Sequence, residues 1–148
     1  MLEPITQSQI ANIMVASELA SLTDATQVAA VIAEVCDGVV LAVNTSGVYA
    51  RLATGRSKVP SELVHSTLVL CRHAIIARAP GSQLNDTLQG GARQAEYQAA
   101  QDMLRQVAAG ELQLSDYTIG ADPADLIDDS ESGEVSWGSD PRMNVNII

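Results

Sequence analysis

The chain has 148 residues, the size of one ordinary domain, and a chain of this length buries roughly two-thirds of the surface that its unfolded form exposes. Its formal net charge of −10 argues against wrapping nucleic acid, because phosphate binding relies on Lys and Arg side chains that replace counterions. Hydrophobic residues make up 47% of the chain while Phe is absent, so the core must be built from aliphatic side chains.

A short first helix is predicted over residues 6–15, because Thr6 can cap its start and apolar residues follow on one face. One more helical turn is predicted between Ser17 and Leu22. Thr23 and Asp24 then occupy an N-cap position before the most periodic stretch of the chain. Its apolar residues recur every three or four positions and predict a long amphipathic helix: Val28, Val31, Ile32, Val35, Cys36, Val39, Val40 and Val43.

A basic stretch interrupts the helical pattern and is followed by the predicted central helix. Arg51, Arg56 and Lys58 form the one basic cluster of the sequence. Pro60 restarts the chain at a first-turn position, where its missing N–H costs nothing. The helix that follows, about residues 60–79, is apolar on more than one side and is predicted to be the most buried.

A last helix is predicted from Ala92 to Ala109, with Gly110 as the residue that ends it. Its apolar stripe includes Tyr97, Leu104 and Val107. Four polar side chains are expected to face outward: Arg93, Glu96, Gln101 and Arg105. The sequence therefore predicts an all-α fold, a small bundle of four to five helices spanning residues 1–119.

Residues 120–148 differ in kind and are predicted to form an acidic, extended C-terminal arm. They hold seven acidic residues and one basic residue, a net charge of −6, against eleven and seven, or −4, in residues 1–119. Pro123, Gly133, Gly138 and Pro141 interrupt any regular structure. We expect no fixed structure between Ala121 and Asp140 in the free monomer.

The free energy of ordering leaves two alternatives for the arm: either much of it stays mobile, or it orders by adding backbone hydrogen bonds and contacts to a partner. Fixing 29 residues costs roughly 29–58 kcal/mol in backbone entropy, whereas burying the apolar side chains of the arm returns roughly 12–24 kcal/mol. Strand addition to a partner supplies the missing hydrogen bonds. The predicted contacts are the one Trp of the chain and the strand-like end: Trp137, Met143, Val145, Ile147 and Ile148.

No assembled catalytic constellation is apparent, so we expect neither an enzyme nor a cofactor. The chain has two His and two Cys residues without zinc-ligand spacing, and Cys36 and Cys71 are expected to be buried thiols of a reducing compartment. The acidic residues of the arm lack the spacing of a calcium loop. Phosphate-binding and nucleophile-elbow motifs do not occur. No signal peptide is expected, and no apolar run is expected to approach the length needed to span a bilayer.

The basic cluster has two interpretations. Arg51, Arg56 and Lys58 form either a solvated connection between helices or a subunit interface. On an acidic protein that forms a ring, the basic loop of one copy can meet the acidic flank of the next. We therefore predict these three residues as a ring interface.

The order of elements and several local stretches resemble the Mu-like family of tailed-phage head-completion, or head-to-tail connector, proteins. The resemblance covers about residues 5–114. It rests on Leu19–Asp24, the helix from Val28, Tyr49–Arg51, Val59–Val64, His73–Arg78, Tyr97–Leu104 and Ala108–Leu112. The long acidic arm is not part of this pattern.

The resemblance implies a structural virion protein without enzymatic activity. It implies a homo-oligomeric ring, a dodecamer, placed at the virion neck below the portal protein and assembled in the host cytoplasm. Its expected partners are the portal, through the arm, and a tail terminator or another tail-proximal neck protein. Genome DNA would pass through the channel without specific binding, and no membrane is involved.

Two other classes stay open. An acidic DNA mimic, or another non-enzymatic interaction protein, would be a monomer or dimer with carboxylates spaced like phosphates. A small helical enzyme could instead form its site between subunits from His65, His73 and a neighbour's acid.

Overall fold

The computed structural model describes residues 1–14, 18–22, 24–78, 91–118 and 121–127. Over these residues the fold is predominantly helical, as predicted, with one small sheet that was not predicted. The elements are β1 (Leu2–Pro4), α1 (Gln7–Asn12), α2 (Ala25–Ser46), β2 (Lys58–Pro60), α3 (Val64–Arg78) and α4 (Gly91–Ala108), with 3₁₀ turns at Leu19–Leu22, Ser61–Leu63 and Pro123–Asp125.

The helix α2 supplies the largest share of the core. The Asp24 carboxylate accepts a hydrogen bond from the Gln27 amide at 3.1 Å, which confirms the predicted N-cap. Its β-branched side chains disfavour an isolated helix, so packing against α3 and α4 stabilises it. One of the eight stripe residues, Val35, is partly buried at the edge of the core. The other seven are buried: Val28, Val31, Ile32, Cys36, Val39, Val40 and Val43.

The same helix corrects one expectation from the sequence. With 22 residues and a mean hydropathy of 1.8, α2 is long and apolar enough to cross a membrane by length and composition alone. The expectation that no apolar run approaches that length is therefore wrong. Core helices of soluble proteins pass the same test, and the apolar stripe of α2 packs in the core of this fold.

The sheet pairs the first residues of the chain with the start of the central segment. β1 and β2 are antiparallel, with Glu3 opposite Val59. Hydrogen bonds from Ile5 to Ser57 and from Ser61 to Met1 fix the alternation of the ladder. Pro4 and Pro60 consequently lie at positions that point away from the partner strand, so each outer edge of the sheet lacks one donor.

Pro60 corrects the predicted start of the central helix. It is the last residue of β2, with φ −56° and ψ 144°, and precedes a 3₁₀ turn at Ser61–Leu63. The α-helix itself begins at Val64. The prediction missed the strand because its pairing partner lies more than fifty residues away in sequence.

The first helix is shorter than predicted. α1 covers Gln7–Asn12, and the backbone leaves helical geometry at Ile13. Its start follows the prediction, since Thr6 and Gln9 form a reciprocal capping box. The buried Ile10 attaches α1 to the core, and α1 packs against α3.

Two residues of α4 that were expected to face outward instead join a charged cluster. Arg93 donates to Glu18 at 2.7 Å and to Glu96 at 3.4 Å. The buried Arg72 of α3 also pairs with Glu96, and it donates to the Ile13 carbonyl oxygen at 3.1 Å. We call Glu18, Arg72, Arg93 and Glu96 the N-terminal cluster. It connects the segment after α1 to α3 and α4.

The end of α4 follows the prediction closely. Gly110 has a left-handed φ of 78° and donates to the Val107 carbonyl at 3.0 Å, while Glu111 donates to Gln106 at 2.8 Å. These two bonds are those of a Schellman motif. The predicted helix end at Pro80–Gly81 and the connection over residues 82–90 lie outside the described residues.

Candidate functional site

The loop between α2 and β2, residues 47–57, is held rigidly against the second half of α2. The Asn44 side chain donates to the Leu52 carbonyl at 3.0 Å and accepts from the Leu52 amide at 2.8 Å. Asp37 accepts from the Gly55 amide at 2.8 Å. The Leu52 side chain is fully buried in the core. This loop therefore offers a preformed surface to the segments that follow α4.

Two tyrosines fix the chain after α4 along this loop. The Tyr49 hydroxyl donates to the Leu112 carbonyl and accepts from the Leu114 amide at 3.1 Å. The Tyr117 hydroxyl donates to the Ala50 carbonyl. Burial, reinforced by the charge of nearby groups, raises the pKa of Tyr117 to about 12, so this hydroxyl stays protonated as a donor. Residues 112–118 are thus packed onto the body in an extended path.

Residues 121–127, which we call the arm base, close over the same loop. Asp125 is only 3% exposed and accepts from Arg56 Nε at 2.7 Å and from Lys58 Nζ at 2.9 Å. Asp122 caps the 3₁₀ turn by accepting from the Ala124 amide at 3.0 Å and lies 3.6 Å from Arg56. Two cations from the loop and β2 therefore meet one buried carboxylate of the arm base.

Backbone hydrogen bonds complete this attachment. The Ala53 amide donates to the Asp125 carbonyl at 2.8 Å, and the Ile127 amide donates to the Arg51 carbonyl at 2.9 Å. Between them Leu126 forms an antiparallel bridge with Leu52 and packs at the edge of the core. The arm base is consequently a short extra strand on the loop, locked by an ion-paired side chain.

The ionised form of Asp125 is favoured in the folded protein. Burial alone would raise the pKa of its carboxyl, but hydrogen bonds from Lys58 and Arg56 and their positive charges outweigh burial, so the pKa lies below its ordinary value. Asp125 therefore keeps its charge to a lower pH than an ordinary aspartate does.

The predicted site residues have different outcomes. Arg56 and Lys58 lie together beside the arm base, and Arg51 takes part through its carbonyl. Their predicted role as a ring interface stays a prediction. The predicted portal contacts lie outside the described residues: Trp137, Met143, Val145, Ile147 and Ile148.

Sequence analysis missed Asp125, and one local signal was available. Asp122 followed by Pro123 is a capping residue before a proline, which is typical of the start of a helical turn. That signal predicts the 3₁₀ turn at Pro123–Asp125. It does not predict the pairing with Arg56 and Lys58, which lie almost seventy positions earlier.

The histidines and thiols do not converge on a site. His65 is exposed, whereas His73 stacks on Tyr97 with ring centroids 3.7 Å apart; burial, and secondarily Arg72, lowers the pKa of His73. Cys36 and Cys71 are free and buried, as predicted, and burial raises both thiol pKa values. Among the described residues, no group of three or more His, Cys, Asp or Glu side chains could hold a metal ion.

An open groove of about 410 Å³ runs between α2 and α4. It is lined by small and apolar side chains together with Gln101 and Arg105. A second hollow of about 280 Å³ adjoins it at Leu104 and reaches His73 and Tyr97. Gly38 of α2 faces open space there, since a Cβ atom at this position would meet nothing within 4 Å.

Comparison with known protein families decides the relationship. Residues 5–128 match the family described as Bacteriophage Mu, Gp36. The chain belongs to the Mu Gp36 family. No curated protein and no solved structure matches the chain.

Membership of the Mu Gp36 family makes this chain a bacteriophage protein of the structural and assembly class. The match runs beyond residue 114, where the resemblance seen in the sequence ended, and beyond the predicted arm boundary at residue 119. It ends at residue 128, directly after the arm base. The part shared with the Mu Gp36 family therefore includes the arm base, and residues 129–148 follow it.

Proposed function

We propose that this Mu Gp36 family protein is a head-to-tail connector, an adaptor that forms a ring between the portal and the tail and docks on the portal through its C-terminal arm. The family match over residues 5–128 carries this proposal, because it indicates a phage structural or assembly protein. The proposed location is the virion neck, after assembly in the host cytoplasm.

The charge of the chain supports a place around a DNA channel. A net charge of −10 gives a ring of this protein an acidic surface that repels phosphate and lets the genome slide past. The ring would be a dodecamer built by head-to-tail contacts between copies. Arg51, Arg56 and Lys58 remain the proposed ring interface, and the Arg56 side chain is 39% exposed beside Asp125.

The sheet of the body favours a different protein as the acceptor of the arm. Strand addition needs a sheet edge with free donors and acceptors. In this fold Pro4 and Pro60 each remove one outward-facing donor from the two edges of the small sheet. The sheet of a second copy therefore lacks donors that strand addition by the alternating end of the arm, Val145 to Ile148, would need. This supports docking on the portal instead.

The proposal is tested by measuring the mass of the purified protein alone and mixed with its portal. A variant that lacks residues 140–148 should assemble no stable complex with the portal, while the full chain should. A variant that lacks residues 128–136, also nine residues, keeps Trp137 and the arm end and controls for arm length. Equal association of the full chain and the variant lacking residues 140–148 would reject the arm end as the docking element.

A separate variant addresses the enzyme hypothesis. His65→Gln combined with His73→Gln removes both imidazoles while keeping hydrogen-bonding side chains. A connector should assemble and support infection normally with both changes. Loss of infectivity with intact assembly would favour a site built from these histidines.

A further inference from the structure

We propose that Asp125 is the positioning residue of the arm: its pairing with Arg56 and Lys58 fixes the arm base, the segment to which residues 128–148 are joined in sequence. This inference rests on the proposed docking role of the arm. It adds to that role the residue that attaches the arm base, Asp125, and assigns Arg56 and Lys58 the function of holding it in place.

The first argument is the burial of the charge. Asp125 is 3% exposed, and a carboxylate removed from water to that extent needs close cationic partners. Lys58 and Arg56 supply them at 2.9 and 2.7 Å from the two carboxylate oxygens. A segment that merely lay on the surface would keep its carboxylates in water, as Asp122 does with 54% of its side chain exposed.

The second argument is the backbone path. The bonds from Ala53 to Asp125 and from Ile127 to Arg51 lie on either side of Leu126, which faces the buried Leu52. Leu52 is in turn fixed on α2 through Asn44. A continuous chain of contacts therefore runs from the rigid helix α2 to Ile127, the last described residue.

The third argument is the reach of the arm. Anchored at the arm base, residues 128–148 span at most about 70–75 Å when fully extended. Released at residue 120, the arm would span about 95–105 Å. Effective concentration at a docking site falls with roughly the −3/2 power of tether length, so release costs about 1.6-fold for each arm. If all twelve arms of the proposed dodecamer engage one portal ring, these factors compound to roughly 300-fold.

Asp125→Asn is the decisive variant, because it removes the charge and keeps the size of the side chain. Asp122→Asn is the matched control, since it makes the same charge change three residues earlier at an exposed site, and Asn can still cap the turn. Spin labels at Leu41→Cys and Ile127→Cys report the position of the arm base without any partner. Both labelled positions are exposed, while Cys36 and Cys71 are buried and stay unlabelled.

We expect a narrow distance distribution between the two labels in the wild type and in Asp122→Asn, and a broad one in Asp125→Asn. We also expect Asp125→Asn to lower the apparent affinity of the assembled ring for the portal by at least about tenfold. Lys58→Gln should also broaden the distance distribution. That result would show independently that the Lys58 cation helps to hold the arm base.

An unchanged distance distribution in Asp125→Asn would overturn the anchor. A broad distribution with unchanged affinity for the portal would overturn its positioning role. If the wild type itself bound no portal, the proposed function would fail, while a broadened distribution in Asp125→Asn would still uphold Asp125 as the residue that fixes the origin of the arm.

Discussion

Two charged clusters attach the two ends of the helical body, and they differ in where the cations lie. In the N-terminal cluster the cations are mostly shielded from water, with Arg72 5% and Arg93 18% exposed, and the Glu18 carboxylate is fully buried with them. In the cluster around Asp125 the carboxylate is buried, while Arg56 and Lys58 are 39% and 30% exposed. Water can therefore solvate the cations of the second cluster if the carboxylate leaves. The first cluster is suited to permanent structure, and the second to an attachment that can be loosened without unfolding the body.

The largest effect is expected from Arg72→Leu. This change removes a buried cation that pairs with Glu96 and caps the Ile13 carbonyl. Arg72 makes charge-assisted hydrogen bonds to Glu96 and to the Ile13 carbonyl, and such bonds contribute about 1.5–3 kcal/mol each. We expect a loss of about 3 kcal/mol in total, because Glu96 is 42% exposed and keeps Arg93 as a partner. For a domain of this size the melting temperature should fall by roughly 6–12 °C for about 3 kcal/mol. Chemical and thermal denaturation measure both quantities.

Arg105→Leu is the control for that prediction. Arg105 pairs with Asp102 on the surface of α4, with both side chains mostly exposed. Exposed pairs contribute between about 0 and 1 kcal/mol, so stability should barely change. Equal losses in Arg72→Leu and Arg105→Leu would show that burial does not distinguish the clusters.

A smaller loss is expected from Asp125→Asn. The change removes charge-assisted hydrogen bonds from two partially solvated cations, and such bonds contribute about 1.5–3 kcal/mol. The loss should appear first as faster hydrogen exchange of the Ala53 and Ile127 amides, because these groups bond across the arm base. Exchange in α2 and α3 should change little. Uniform acceleration across the whole body would contradict an attachment that loosens locally.

The contribution of the ionised Asp125 to the free energy of unfolding depends on pH in a definite direction. The pKa of Asp125 is lowered in the folded protein, so its contribution to stability is fully present above the unfolded-state value of about 4. It is lost as the pH falls through the lowered folded value. The difference in unfolding free energy between wild type and Asp125→Asn should therefore be constant above about pH 5 and shrink below about pH 4. A difference that grows on acidification would contradict this assignment.

The smallest effect concerns a glycine in the middle of α2. Gly38→Ala should stabilise the protein by about 0.5–1 kcal/mol, since a mid-helix Gly costs that much and the added Cβ meets nothing within 4 Å. Gly47→Ala is the matched comparison: its Cβ also meets nothing, but its backbone φ is 68°. That substitution should destabilise by about 1–2 kcal/mol. Denaturant titrations of both variants compare them directly, and the same sign for both would contradict the helix geometry.

Local signals in the sequence predicted the helical part of the fold well. Capping residues and apolar spacing marked the start of α1, the start and apolar stripe of α2 and the end of α4, because these features depend on neighbours within a few residues. Pairings between distant residues were not predictable in this way. The sheet joining Glu3 to Val59 and the pairing of Asp125 with Lys58 both depend on the tertiary fold.

The candidate site shows the same division. The basic residues Arg56 and Lys58 were recognised as a cluster from composition alone, but their intramolecular partner was not. Acidic, turn-rich composition predicted no fixed structure between Ala121 and Asp140 in the free monomer, yet residues 121–127 pack against the loop. Composition reports the average charge and polarity of a segment. One buried carboxylate, Asp125, and two backbone hydrogen bonds are enough to attach that segment to the body.

The most direct test of the central claim is the mass of the complex that the full-length protein forms with its portal, measured by native mass spectrometry. If the protein is a connector that docks through an anchored arm, the measured mass should equal that of a closed dodecamer of this chain bound to one portal ring. Deleting residues 140–148 should abolish that species. A protein that stays monomeric or dimeric beside an intact portal would contradict the account.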